Sequence, residues 1–94
     1  MEVILLTQER CALCEQAKEL LYRLSDEYPI SVRELDLNSP EGQELAQRGV
    51  VMFPPGIFLD GEPFSYGRLS ERKLRRELKR RITLRGKKSV EGES

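Results

Sequence analysis

Both cysteines of the chain sit in one motif, Cys11-Ala12-Leu13-Cys14. Two thiols at this spacing can exchange disulfides with another molecule. One attacks as a thiolate, and the second resolves the mixed disulfide that forms. What matters is whatever lowers the first thiol's pKa from about 8.5. The apolar run Val3-Ile4-Leu5-Leu6 precedes the motif across Gln8-Glu9-Arg10, and apolar residues at three- and four-residue steps follow it. The motif therefore falls where a strand ends and a helix begins. There the first helical N–H groups lack partners and the helix dipole adds positive charge, and both favour a thiolate. Cys11, at the helix mouth, is expected to be the exposed nucleophile, and Cys14, one turn deeper, the resolving thiol. Arg10 supports the thiolate and Glu9 opposes it, so the expected lowering is modest.

Other chemistries find few residues. The chain has no His, which removes Ser-His and Cys-His catalysis, and two cysteines do not close a structural zinc site within one chain. Two alternatives to dithiol chemistry are a pair of small hydrophobes packed in a core and a metal or iron–sulfur site shared by two copies. The strand-CxxC-helix setting favours the dithiol. No bound cofactor is expected, because the two sulfurs themselves carry both electrons.

The elements that position the motif follow from periodicity and punctuation. Residues 1–7 read as a buried strand. Leu13, Ala17, Leu20, Leu21 and Leu24 mark one face of a helix that stops before Tyr28-Pro29. Ile30 to Leu37 is a second strand, with Leu35 and Leu37 expected inward. Ser39-Pro40-Glu41 starts a short helix, which Gly49 is expected to end in a left-handed conformation. Gly56–Leu59 and Glu62–Tyr66 are two strands joined at Asp60-Gly61, a strong hairpin signal. Ser70 caps a last helix along Leu74, Leu78 and Ile82, with Leu69 and Leu74 spaced as a hydrophobic staple. The order β-α-β-α-β-β-α implies an α/β domain over residues 1–84: a four-stranded mixed sheet with helices on both faces. Residues 85–94 are expected to be a disordered tail.

The chain has 94 residues and no net charge, but its charges are unevenly placed. Residues 1–67 carry 5 basic and 12 acidic side chains, whereas residues 68–94 carry 11 basic and 4 acidic. The plainer explanation is a solvated helix whose cations face the protein's own acidic surface. The alternative is a binding module that docks a phosphate-rich or acidic partner through this basic helix. Aromatics and nucleic-acid motifs are absent from the stretch, so nucleic acid is not the expected partner. No apolar run reaches the roughly 20 residues of a membrane span, and no signal peptide is visible. A monomer in the cytoplasm is expected, without membrane attachment.

With the CxxC, the element order and Phe53-Pro54-Pro55 in view, residues 2–82 resemble a glutaredoxin. The resemblance is strongest to short bacterial glutaredoxin-like proteins that lack a full glutathione site, and it implies the thioredoxin fold. It also implies a cis-proline opposite the CxxC. Pro55, followed by Ile57-Phe58-Leu59 and Gly61, matches that position, with Pro54 as the alternative. Thioredoxins proper are less similar: their Trp before the first Cys and buried Asp upstream are here Arg10 and Leu5. The resemblance implies a thiol-disulfide oxidoreductase in which Cys11 and Cys14 are catalytic and cell redox homeostasis is the setting. Its glutathione-binding features are eroded. Pro54 has no N–H to offer, the glycine turn is reduced to Ser65-Tyr66-Gly67, and the following acid is replaced by Arg68 or Leu69. Arg10, Ala12, Leu13, Met52, Phe53, Pro54, Pro55 and Tyr66 would form the substrate rim. It suits an extended segment of a disulfide-containing protein, with glutathione or a reductase returning the electrons.

Overall fold

Val3, Ile4, Leu5 and Leu6 are all buried, which places β1 (Glu2–Thr7) inside the sheet with both faces covered. The computed structural model describes residues 1–91, and the side chains of residues 1–84. Seven elements follow in order: β1, α1 (Ala12–Leu24), β2 (Ser31–Asp36), α2 (Pro40–Gly49), β3 (Gly56–Leu59), β4 (Glu62–Tyr66) and α3 (Glu71–Glu91). The sheet order is β2-β1-β3-β4. β1 and β2 are parallel, as a helical crossover requires, whereas β3 is antiparallel to both β1 and β4. The expected mixed four-stranded α/β architecture is the one observed.

Two clusters fill the two sides. Val3, Leu5, Ile57 and Leu59 pack with α1 and α3, through Ala17, Leu20, Leu21, Leu24, Leu74 and Leu78. Ile4, Leu6 and Phe58 pack with Leu45 of α2 on the other face. Alternation along β1 and β3 sends successive residues to opposite sides, so each strand feeds both cores. β2 has no buried residue, as befits an edge strand. Leu35 and Leu37 cover the α2-side cluster, and Val32 turns to the other.

The turns obey local chemistry, with one exception. Asp60 (φ 48°) and Gly61 (φ 83°) give the hairpin two left-handed residues, and the Asp60 carboxylate accepts the Glu2 N–H at 2.8 Å. Ser39 caps α2 by accepting the Gly42 N–H, and Ser70 caps α3 by accepting that of Lys73. The residue that leaves α2 in the left-handed region is Val50 (φ 53°, ψ 47°), not Gly49, which remains helical. Gly49 is needed for a different reason. A Cβ there would lie 2.7 Å from the buried Phe58 ring, so glycine allows α2 to approach the sheet.

α3 continues through Glu91, beyond the Leu84 at which its end was expected. The apolar stripe does stop there, but no proline follows, and Gly86 alone costs only about 1 kcal/mol. Of the expected tail, residues 85–91 carry on the helix and residues 92–94 lie outside the described residues. Part of the helix's basic charge faces the acidic body, as the plainer explanation requires. Arg75 grips Glu27 through two nitrogens, at 2.9 and 3.0 Å, and Glu71 at 2.8 Å. Arg81 joins Glu62 of β4 to Glu77.

Arg80 and Arg81 hold the Glu77 carboxyl down to about 2, from an ordinary value of 4.5. In acid the unfolded chain protonates first, so this carboxylate stabilises the fold above about pH 4.5 and ceases to as pH falls through 2. The urea midpoint should drop across that window by the equivalent of about 1–2 kcal/mol, and Glu77→Gln should flatten the drop. Gly49→Ala should destabilise the fold by about 1–3 kcal/mol despite alanine's helix propensity, because Phe58 has no room to retreat. Urea titration checks both.

Candidate functional site

The CxxC lies where β1 ends, and the geometry there starts from one residue. Arg10 adopts φ 55°, a left-handed conformation uncommon outside glycine, asparagine and aspartate. It turns the chain so that Cys11, in extended conformation, becomes the N-cap of α1. The Cys11 sulfur accepts the Cys14 N–H at 3.1 Å, the place usually taken by a serine or aspartate oxygen. Cys11 and Cys14 are joined in a disulfide with Cα atoms 5.1 Å apart. Their environments differ. Cys14 is 1% exposed within the core, whereas Cys11 reaches the surface.

The sheet brings the prolines to the same end. Leu6 pairs with Gly56 in the antiparallel β1–β3 ladder, so the loop that enters β3 lies beside the loop that leaves β1. The Pro54-Pro55 bond is cis, which makes Pro55 the cis residue and sets Pro54 aside. Pro55 is buried, and its carbonyl accepts the Gly67 N–H at 2.8 Å, tying the loop to the end of β4. Phe53 lies across that junction, its ring 5.2 Å from that of Tyr66 and tilted by 48°. Gly67 makes the packing possible. Its φ is +77°, and a Cβ would come within 2.7 Å of the Phe53 ring.

The rim is therefore divided. Met52 (70% exposed), Phe53 (55%), Val50 (68%) and Tyr66 (40%) form the apolar side, with Pro54 half-buried. On the other side, a depression of about 560 Å³ is lined by Gln8, Glu9, Arg10, Cys11, Ala12 and Glu15. Leu13 is not part of it; it faces a smaller groove, shared with Gln16 and Leu69, between α1 and the start of α3. Of the residues expected at the rim, Arg10 and Ala12 thus share the depression with Cys11, Leu13 faces the groove towards α3, and Met52, Phe53, Pro54 and Tyr66 lie on the apolar side by the cis-proline. Glu15 was missed, although a residue four positions after Cys11 on a helix must return to the same side. So was Val50, whose exposure depends on its left-handed turn. A groove of about 310 Å³ beneath β4, lined by Val50, Val51, Pro63 and Tyr66, continues the apolar side.

Among the described residues, no group of three or more His, Cys, Asp or Glu could hold a metal ion. Among the same residues, no helix is long and apolar enough to cross a membrane.

Comparison with known proteins agrees with this geometry. A thioredoxin mutant from Halobacterium salinarum NRC-1 superimposes with a TM-score of 0.62, covering 82% of this chain and 70% of that one. At 22% identity the likeness concerns the fold alone, which is the thioredoxin fold. No curated protein matches the sequence. The model of the glutaredoxin-like domain (DUF836) matches residues 2–79, nearly all of the sheet and its helices. The chain belongs to this glutaredoxin-like domain family.

Proposed function

We propose that the chain is a dithiol thiol-disulfide oxidoreductase acting on disulfides of other proteins. The observation that carries this reading is the asymmetry of one disulfide: a reachable Cys11 sulfur at a helix N-terminus, backed by a buried Cys14. In the reduced form, the Cys11 thiolate attacks a substrate disulfide. Its S–S bond breaks, one substrate sulfur leaves as thiolate and takes a proton, and a mixed disulfide forms on Cys11. Cys14 then gives up its proton and attacks the Cys11 sulfur, which releases the second substrate thiol and closes the Cys11–Cys14 disulfide. Two electrons and two protons pass to the substrate. A dithiol reductase, or two glutathione molecules, returns them, so no bound cofactor enters the cycle.

The surroundings support these roles. The Cys14 N–H that points at the Cys11 sulfur is a ready donor to a thiolate, and the end of α1 adds its dipole. Exposed Phe53 and Tyr66 give an extended segment an apolar strip beside the cis-proline. A peptide backbone that pairs with this loop meets no donor at Pro54 or Pro55, which weakens recognition of a short charged tripeptide such as glutathione. Arg10 and Ala12 border the same sulfur from the polar side. A reducing cytoplasm, where disulfides are transient, is the setting this chemistry suits. We assign the monomer as the working unit.

Cys11→Ser should abolish turnover of a disulfide peptide. Cys14→Ser should keep the first attack and accumulate a mixed disulfide, seen by intact mass after thiol trapping. Full dithiol activity in Cys14→Ser protein, with no adduct, would reverse the assignment. Equilibration of the wild-type protein with glutathione redox buffers should give one reversible two-thiol disulfide. A protein in which that disulfide never forms is not an oxidoreductase of this kind.

A further inference from the structure

α3 sorts its charges by side. Its two acids among the described side chains, Glu71 and Glu77, are half-buried and held by arginines: Glu71 by Arg23 and Arg75, Glu77 by Arg80 and Arg81. Leu74 and Leu78 point into the core. Arg72, Lys73, Arg76 and Lys79 remain on the outward side, all exposed and none ion-paired with another described residue. Positions 72, 76 and 79 follow one another along a single helical stripe about 10 Å long, with 73 beside it. Like charges at this spacing repel one another, and the acids that could have relieved them are turned inward.

A groove along α1 leads from the redox motif to the start of this helix. Leu13, two residues after Cys11, shares a groove of about 210 Å³ with Leu69 and Glu71, one residue before Arg72. A protein whose disulfide meets Cys11 and which extends along this groove over α1 reaches the first turns of α3, which the Arg23–Glu71 and Glu27–Arg75 pairs hold against the C-terminal end of α1. Resting on the function proposed above, we infer that the outward face of α3 docks an acidic patch on the protein whose disulfide this chain exchanges.

Three features favour a local acidic patch over other anions. The body is itself acidic, with Glu9 and Glu15 exposed beside Cys11 and Glu19 farther along α1, so a long polyanion spread over the molecule meets repulsion that an acidic cluster confined to α3 does not. Residues 68–84 contain no aromatic side chain on which bases could stack. The apolar stripe of α3 is spent on the core, and among the described side chains of the helix Leu84 alone is a large exposed hydrophobe, too little to enter a lipid surface. A protein surface with a confined acidic cluster avoids all three difficulties.

Single-turnover exchange tests this, with pre-reduced protein and three synthetic peptides that share one cystine loop and end in a run of Glu, Lys or Ser. At about 10 mM salt, where screening acts over about 30 Å, the Glu peptide should be reduced about tenfold faster than the Lys peptide. The ratio should approach one at about 1 M salt, where screening acts over about 3 Å. It should also approach one in the variant Arg72→Gln, Lys73→Gln, Arg76→Gln, Lys79→Gln, whose circular dichroism should match wild type. Equal rates at low salt, a preference for the Lys peptide, or a preference that survives in the variant would overturn the inference. The Ser peptide reports on the dithiol alone, so its failure to react counts against the proposed function. Docking is then read separately, by fluorescence anisotropy of the Glu and Lys peptides with serines in place of their cysteines. Tighter binding of the Glu form by wild type, lost in the variant, sustains the inference. Tighter binding of duplex DNA or anionic vesicles than of the Glu form, to this same face, refutes it.

Discussion

Burial of β1 on both faces is the constraint on which the rest of the molecule depends. Val3 and Leu5 commit the strand to the α1–α3 side, Ile4 and Leu6 to the α2 side. A slip of one residue in its pairing would exchange these sets and disrupt both clusters at once. The strand's end is therefore fixed, and with it the point at which Arg10 turns the chain and Cys11 opens α1. Its pairing with β3 fixes Pro55 as well, because Gly56 stands opposite Leu6. The motif and the cis-proline, 44 residues apart in sequence, are brought to one end of the sheet by a ladder of four residue pairs.

Much of this fold was legible because its signals are local. The caps Ser39 and Ser70, the Asp60-Gly61 turn and the periodicity of α1 each act within a few residues, and each element forms where they place it. The cis-proline was legible through family resemblance, which singled out Pro55 from two candidates. What escaped depends on contacts between distant residues. Gly49 reads as a helix terminator by type, yet its role is set by Phe58, in another element. The Phe53–Tyr66–Gly67 packing joins the loop before β3 to the end of β4, two segments whose sequences give no sign of meeting. The polar half of the rim was partly readable from the helical return of Glu15 to Cys11's side. Its union with Gln8 and Arg10 required the left-handed turn at Arg10.

The two halves of the charge pattern serve different ends. Arg75 and Arg81 knit α3 to the end of α1 and to the hairpin, and thereby hold the last helix over the sheet. Exposed pairs of this kind contribute little one by one, so Leu74 and Leu78 supply most of the docking energy while the arginines set its register. The remaining cations are not needed for the fold, which is why they can serve recognition without a cost to packing.

β4 has a further consequence for how the protein behaves in a crowd. It is an edge strand, and its pairing with β3 is broken by a bulge: Ile57 faces Ser65 while Phe58 faces Pro63, leaving Phe64 over. Pro63 removes one backbone donor, and the bulge bends the strand away from a straight template. At the opposite edge, β2 presents Arg33, Glu34 and Asp36. Neither border offers the flat, uncharged ribbon on which another sheet could grow. Copies held together by a passing intermolecular disulfide can thus separate once it is reduced, rather than seeding a fibril.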